Sequence, residues 1–86
     1  MPTARSGIAA SVLGARIVVV GGEAPAGTFA EVEAYDPQTN RWSALSPMPT
    51  PRHGLGAATI GDRLYVIAGG PKPGASASSV VESLAP

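Results

Sequence analysis

The residues that could carry chemistry are few. His53 is the only histidine, and it directly follows Arg52. A zinc site normally needs three or four ligands from cysteine, histidine and carboxylate side chains, and the chain has no cysteine. The sequence therefore predicts no metal site, and it favours a partly exposed, structural or hydrogen-bonding role for His53 at the start of a strand.

Acid–base and nucleophilic chemistry have no better placed residues. A Ser-His-acid arrangement would combine His53 with Asp62 or Asp36, but nothing in the sequence places a serine beside them. Glu31 and Glu33 alternate along a predicted strand, so their side chains share one face. That pattern favours a solvated face over a general acid and base. We expect no catalytic residue and no enzymatic activity.

The glycine-rich segment 69–76 is the remaining candidate for a cofactor site. Its glycines have the spacing of a phosphate-binding loop, but Ala75 stands where that motif requires lysine. Two prolines also remove backbone amides that would bind a phosphate. The favoured interpretation is a surface loop between two strands, and we expect no bound cofactor.

Charge and hydropathy disfavour several kinds of partner. Six basic and six acidic residues cancel, so nucleic acid and anionic membranes are not expected partners. Residues 1–20 superficially resemble a signal peptide, but Arg16 interrupts the apolar stretch and the same pattern recurs inside the chain. No apolar run approaches the roughly 18 residues of a membrane-spanning helix. The compartment stays open, with the cytoplasm as the default.

An internal repeat organises the elements that would position any site. Residues 1–22 align without a gap on residues 48–69, and ten of the 22 positions are identical. Each copy contains a basic residue, Arg16 or Arg63, followed by a β-branched or aromatic run and then glycines. Farther along, residues 80–86 match residues 31–37 at an offset of 49, with Glu82 on Glu33. Residues that recur in this way are expected to form the scaffold.

The first unit predicts four short strands and the second unit three. Alternation, β-branched runs and turn residues place the first four at 8–13, 17–20, 31–35 and 41–45, and the last strand at 80–84. The turns Gly14-Ala15 and Gly61-Asp62 have a glycine that can take a positive φ. Residues 36–40 are a further predicted turn, because Asp36 can accept backbone hydrogen bonds and Pro37 presets φ. Residues 23–30 and 71–79 are predicted loops, and the proline-rich segment 46–51 is a connector.

Four short strands every 45–50 residues, with glycines and a late tryptophan, are typical of a propeller blade. The chain resembles Kelch repeats through Gly21-Gly22, then Tyr35, then six residues, then Trp42. The second copy departs from the pattern, because its glycine pair lies one place late and its tyrosine and tryptophan are absent. The repeat-defining structural residues are Gly21, Gly22, Tyr35, Trp42, Gly69, Gly70, Arg16 and Arg63.

The resemblance implies an all-β fold of Kelch-type propeller blades. We expect two four-stranded antiparallel blades, residues 1–47 and 48–86, the second lacking its outer strand. Stopping at Pro86 looks like the C-terminal end of a ring, and the start at Met1 lacks a preceding strand. The chain therefore resembles the last two blades of a larger propeller.

The resemblance also implies a function. Kelch propellers commonly bind other proteins through loops on one propeller face, so a non-catalytic scaffold for protein–protein interaction is the favoured hypothesis. Missing blades or further copies of the chain are additional expected partners. The alternative is a C-terminal fragment of a Kelch-propeller enzyme, galactose-oxidase-like or sialic-acid-epimerase-like, without a complete active site. Arg52 and His53 would be its candidate residues in the epimerase case.

Three structural expectations follow. Gly22 and Gly69 should occupy conformations or close contacts that a Cβ atom would not allow. Trp42 should be largely buried beside the connector prolines and the neighbouring blade. The flanks of a two-blade unit should expose apolar side chains.

Overall fold

The computed structural model describes residues 1–72, 76 and 78–84, and this part of the chain is all-β without a helix. Accordingly, no helix in these residues is long and apolar enough to cross a membrane. The nine strands are β1 (Ala9–Leu13), β2 (Arg16–Val20), β3 (Glu23–Ala24), β4 (Gly27–Thr28), β5 (Val32–Asp36), β6 (Arg41–Ala44), β7 (Gly56–Ile60), β8 (Arg63–Ile67) and β9 (Val81–Leu84).

The first repeat forms a four-stranded antiparallel sheet with the order β1-β2-β5-β6. Gly14 connects β1 to β2 with a φ of 63°, which glycine adopts without steric cost. The turn between β5 and β6 is held by Asp36, whose Oδ1 accepts a 2.9 Å hydrogen bond from the amide of Gln38. Both turns and all four strands lie within one or two residues of their predicted positions.

The second repeat forms a three-stranded antiparallel sheet with the order β7-β8-β9. Gly61 repeats the tight turn with a φ of 61°. Four strands followed by three agree with the expected Kelch blades, the second without its outer strand in the described residues. The division into blades at 1–47 and 48–86 remains a prediction. Strand β9 begins at Val81, one residue later than predicted.

One predicted loop contains additional structure. Residues 23–30 include a two-stranded hairpin, β3–β4, in which Glu23 pairs with Thr28 and Ala24 with Gly27. Pro25 lies at the first position of the two-residue turn, where its fixed φ favours reversal. A bridge between Ser6 and Glu23 holds the hairpin against the N-terminal segment, a long-range contact that the local sequence does not reveal.

The hydrophobic core lies between the two sheets. Hydroxyl groups of Ser11 and Thr59 also meet there, 2.9 Å apart. Residues 17–20 are apolar on both faces, a pattern that predicts a strand covered on both sides. This prediction is wrong for Ile17, which is exposed because it faces away from the second sheet. The buried core residues are Leu13, Val18, Val20, Val32 and Ala34 from the first sheet, Leu64 and Val66 from the second, and Met48 and Leu55 from the segment between the sheets.

Candidate interaction surface

A buried arginine–glutamate unit ties the second repeat together. The Arg52 side chain is fully buried. Its Nη1 donates to the carbonyl oxygens of Val80 (2.6 Å) and Ala68 (3.2 Å). Its Nη2 donates to the Val66 carbonyl at 3.2 Å and to Oε1 of Glu82 at 3.0 Å. Arg52 therefore closes the glycine end of β8 and the start of β9, and it has no free face for a substrate.

The first repeat contains the corresponding unit. Nη2 of Arg5 lies 3.2 Å from Oε1 of Glu33, and the Thr3 hydroxyl donates to Oε2 of Glu33 at 2.8 Å. Thr50 makes the matching 2.9 Å contact to Glu82. The expectation that Glu33 lies on a solvated face is wrong, because Arg5 and Thr3 cover it and it is buried.

These ion pairs were missed at the sequence level, although a signal for them exists. The motif Thr-x-Arg recurs at residues 3–5 and 50–52, and a glutamate recurs in the third strand of each copy. A cation and an anion that repeat together are candidates for one ion pair formed twice. Because burying either charge alone is costly, their pairing is structural in both repeats.

The repeated glycines occupy backbone positions that a side chain would strain, as predicted for two of them. Gly22 has a φ of 118°, and an added Cβ would lie 2.8 Å from the Ser6 carbonyl oxygen. Gly69 has a φ of 89°, and its Cβ would lie 2.6 Å from the His53 carbonyl oxygen. Gly21 also has a positive φ and a backbone carbonyl close to its missing Cβ.

The second glycine pair is displaced by one residue relative to the first. Ala68 takes the place of Gly21 and adopts the same left-handed conformation, with φ of 59° against 68°. Gly69 then corresponds to Gly22, and Gly70 is buried beside Ser76. The backbone geometry of the repeat is therefore retained at a position where the sequence no longer has glycine.

His53 has the predicted structural role, and it is more buried than expected. Its Nδ1 lies 3.0 Å from Oε2 of Glu23, and its Nε2 lies 2.8 Å from the carbonyl oxygen of Lys72. Asp62 is in the turn at the opposite end of β7, so the carboxylate beside the histidine is that of Glu23 and not the predicted one. On its other side the ring contacts a backbone carbonyl and not a serine hydroxyl. Within the described ranges, no three His, Cys, Asp or Glu residues cluster as metal ligands.

The two predicted loops lie at the same end of the molecule. The Thr28 hydroxyl donates to the Pro71 carbonyl oxygen at 2.8 Å, which joins the two loops. In the segments that precede β1 and β7, the amide of Gly54 donates to the Gly7 carbonyl oxygen at 2.8 Å. We call residues 23–30 with residues 71–72 the loop edge. Residues 73–75 and 77, including Ala75 of the phosphate-loop candidate, lie outside the described residues.

The two large aromatic residues contact each other rather than the neighbouring sheet. Tyr35 and Trp42 are directly opposite in the β5–β6 register, with ring centroids 5.1 Å apart. Trp42 is partly buried, and the ring contact that the structure describes for it is with Tyr35 and not with the connector. Trp42 lies with Ile17 on the side of the first sheet that faces away from the second sheet. Among the described contacts, the N-terminal segment covers this side only at Val19 and Glu33. Of the recurring arginines, Arg16 is half-buried and Arg63 is exposed.

Each sheet has an outer face that leaves apolar side chains in solvent. We call the side bearing Val12, Ile17 and Trp42 the first outer face; Val12 is 59% and Ile17 41% exposed. The second outer face bears Ile60, Ile67 and Val81, which the repeat aligns with core residues of the first sheet. The exposed fraction is 71% for Ile60 and 2% for its counterpart Leu13. It is 44% for Ile67 and 0% for Val20, and 60% for Val81 and 2% for Val32.

Comparison with known proteins agrees with this architecture. The Kelch motif matches residues 4–49, more than half of the chain. The chain is also similar to the Kelch-like protein terF of Aspergillus terreus, at 37% identity over 90 aligned positions. That alignment covers the whole of this chain and 20% of the relative, so the chain spans about a fifth of the relative's length.

Proposed function

Because the chain belongs to the Kelch-repeat family, we propose that it is a non-catalytic scaffold whose work is protein–protein contact. Kelch repeats commonly mediate such contacts. The observation that carries the proposal is the pair of open apolar faces. Contiguous apolar surface on a soluble protein usually marks an interaction site.

The two outer faces are complementary to each other. The side of the second sheet that packs on the first contains Leu64 and Val66. Their repeat counterparts Ile17 and Val19 lie on the side of the first outer face, where Ile17 is exposed and Val19 is already buried. The second outer face likewise corresponds to the side of the first sheet that forms the core. The contact between the sheets can therefore be repeated by placing a second outer face against a first outer face. Such a contact is heterologous, head to tail.

Another copy of the chain, or further Kelch sheets where the protein is longer, would occupy these faces. Full burial of a valine, leucine or isoleucine side chain stabilises by about 1.5–3 kcal/mol. Several such residues on each face give association a substantial driving force. Propellers typically close with four to eight blades, so three copies of two sheets are one arrangement that closes a ring.

The test uses two variants that each block one face. Variant one has Val12→Asp and Ile17→Asp on the first outer face, and variant two has Ile60→Asp and Val81→Asp on the second. Light scattering should show that each variant alone is a monomer. An equimolar mixture retains one productive contact and should form a one-to-one dimer. Ala26→Asp, at the exposed tip of the β3–β4 hairpin, is the control and should associate like the wild-type chain.

The mixture distinguishes head-to-tail packing from association through any other surface of the chain. If both variants associate as the wild type does, the outer faces are not the contact. If the mixture stays monomeric while the Ala26→Asp control associates, the two faces do not recognise each other. Circular dichroism of each variant establishes that its sheets are intact.

The loop edge is the surface proposed for other proteins. The hydrogen bond between Thr28 and Pro71 places the two loops that differ most between repeats side by side. Arg52 and Glu82 supply only internal contacts, and Glu23 of the loop edge contacts His53, which lies outside the edge. That use of the charged groups supports the non-catalytic interpretation over a propeller enzyme.

A further inference from the structure

The His53 ring joins segments that are far apart in the sequence. Its Nδ1 lies 3.0 Å from Oε2 of Glu23, the first residue of β3, and its Nε2 lies 2.8 Å from the carbonyl oxygen of Lys72. Both loops of the loop edge therefore contact one imidazole ring. Only 10% of the His53 side chain is exposed, so water replaces a lost contact incompletely.

The two contacts require one proton more than a neutral histidine beside a carboxylate can supply. A carbonyl oxygen only accepts hydrogen bonds, and so does an ionised carboxylate. A neutral imidazole carries a single N–H, so it can donate to Glu23 or to Lys72 but not to both. Imidazole is ordinarily a stronger base than a carboxylate, so the additional proton lies on the ring. The arrangement is therefore complete when His53 is an imidazolium.

The other charged residues in the segments packed against the ring leave Glu23 as its electrostatic partner. Arg5 and Arg52 are ion-paired with a glutamate of β5 and of β9, respectively. Lys72 contacts the ring through its backbone carbonyl and is otherwise an exposed residue. The protonation of His53 thus acts directly on two contacts, one to each loop of the loop edge.

We propose that His53 is a proton-controlled latch on the loop edge, closed when the ring is an imidazolium and open towards residues 71–72 when it is neutral. The neutral ring keeps its bond to Glu23, because a hydrogen bond to an ionised acceptor is stronger than one to a carbonyl. It then turns the lone pair of Nε2 towards the Lys72 carbonyl oxygen, and that contact is lost. The latch is therefore closed at low pH and opens as the pH rises.

Opening of the latch is a local change. The backbone hydrogen bonds between His53 and Gly70, 3.0 and 2.9 Å long, do not depend on the ring. The Thr28 hydroxyl also continues to hold the Pro71 carbonyl. The sheets are therefore unaffected, and the change is confined to the shape of the loop edge at Lys72. Histidine ordinarily titrates between about pH 5 and 8, so the change falls in the physiological range. The latch does not depend on any partner being bound at the loop edge.

The experiment follows the isotopically labelled wild-type chain by NMR at about pH 5 and about pH 8.5, on either side of the range in which histidines titrate. His53 is the only histidine, so its ring signals are unambiguous. At the lower pH both ring nitrogens should carry a proton. At the higher pH only Nδ1 should carry one, whereas an unconstrained neutral imidazole favours the Nε2–H form.

Hydrogen exchange at Lys72 reports on the loop itself. The Lys72 amide donates to the Ser76 hydroxyl, whose own proton is donated back to the Lys72 carbonyl oxygen. Protection of this amide, corrected for the intrinsic exchange rate at each pH, should fall about two- to tenfold at the higher pH. That is the effect of losing one hydrogen bond.

Glu23→Gln separates the latch from other effects of pH. The glutamine amide can donate to Nδ1 of a neutral ring, which leaves Nε2–H to donate to Lys72. Both contacts are then made without the additional proton. Lys72 protection should be the same at both pH values, and the neutral ring should change from the Nδ1–H to the Nε2–H form. Asp62→Asn, which removes an exposed carboxylate at the opposite end of β7, is the matched control and should respond to pH like the wild type.

Three results would overturn the proposal. The first is unchanged protection of Lys72 between the two pH values in the wild-type chain. The second is a neutral wild-type ring in the Nε2–H form, because His53 would then have kept Lys72 and released Glu23. The third is a pH response in Glu23→Gln as large as that of the wild type, because another group would then control the loop.

Discussion

Replacing Arg52 by methionine should destabilise the chain more than any other change of an arginine. Methionine keeps an unbranched, apolar side chain of similar length but removes four hydrogen bonds, three to carbonyl oxygens and one to Glu82. Glu82 is then left with only the Thr50 hydroxyl among the side-chain donors of the described residues. Its side chain is 16% exposed, so water replaces the lost guanidinium incompletely.

The expected loss is about 3–5 kcal/mol, the usual cost of removing one partner from a buried ion pair. A chain of this length has a free energy of unfolding of roughly 4–13 kcal/mol at about 0.05–0.15 kcal/mol per residue. Arg52→Met therefore removes a large part of the total. Urea denaturation monitored by circular dichroism measures this loss of stability, at one fixed protein concentration for all variants.

Two further variants make the measurement specific. Arg63→Met, at an exposed position whose described contact is a 3.4 Å hydrogen bond to Ser83, should change stability by less than about 0.5 kcal/mol. Adding Glu82→Gln to Arg52→Met should restore part of the loss, because the uncompensated charge disappears. If Arg52→Met and Arg63→Met cost the same, the buried unit does not hold the repeat together and our reasoning about it is refuted.

Three other substitutions have expected outcomes in the same assay. Gly22→Val should lower the free energy of unfolding by at least about 1–3 kcal/mol through backbone strain. Gly27→Val should cost clearly less, because no atom lies within 4 Å of the new Cβ, and equal losses in the two variants would contradict this reasoning. Trp42→Ala should cost only about 1–2 kcal/mol, since the ring is partly exposed and its described ring contact is with Tyr35. A loss of the roughly 3–5 kcal/mol typical of a fully buried tryptophan would show that the ring is covered. Ala68→Gly should stabilise by about 0.5–1 kcal/mol by relieving a left-handed alanine, and a destabilisation would count against strain there.

The sequence predicted the sheets well because three of the four strands in the first sheet recur in the second copy. Gly14 and Gly61, at the same place in both copies, identified the same turn twice, and both have the expected positive φ. Alternation along β5 and the Asp36 turn were equally local signals. The family resemblance then turned seven predicted strands into two blades, which the four- and three-stranded sheets confirm.

Burial was harder to predict, because it depends on partners far away in the chain. Alternation places Glu33 on one face but does not reveal that Arg5, 28 positions earlier, covers that face. Trp42 was expected to be buried because large aromatic residues usually pack, yet the side on which it lies has no covering sheet among the described residues. A cavity of about 360 Å³, lined by Leu13 and Val18 of the first sheet and Leu84 of the second, lies where sheets of unequal strand number meet. The local sequence gives no sign of it.

Light scattering on the purified wild-type chain at micromolar concentration tests the central claim most directly. The open faces predict a mass greater than that of one chain, increasing with concentration until the faces are covered, together with loss of association in either blocked variant. A monodisperse monomer that melts in a single cooperative transition would contradict this result. It would show that two Kelch sheets are sufficient on their own and that the exposed residues on the outer faces do not mark an interface.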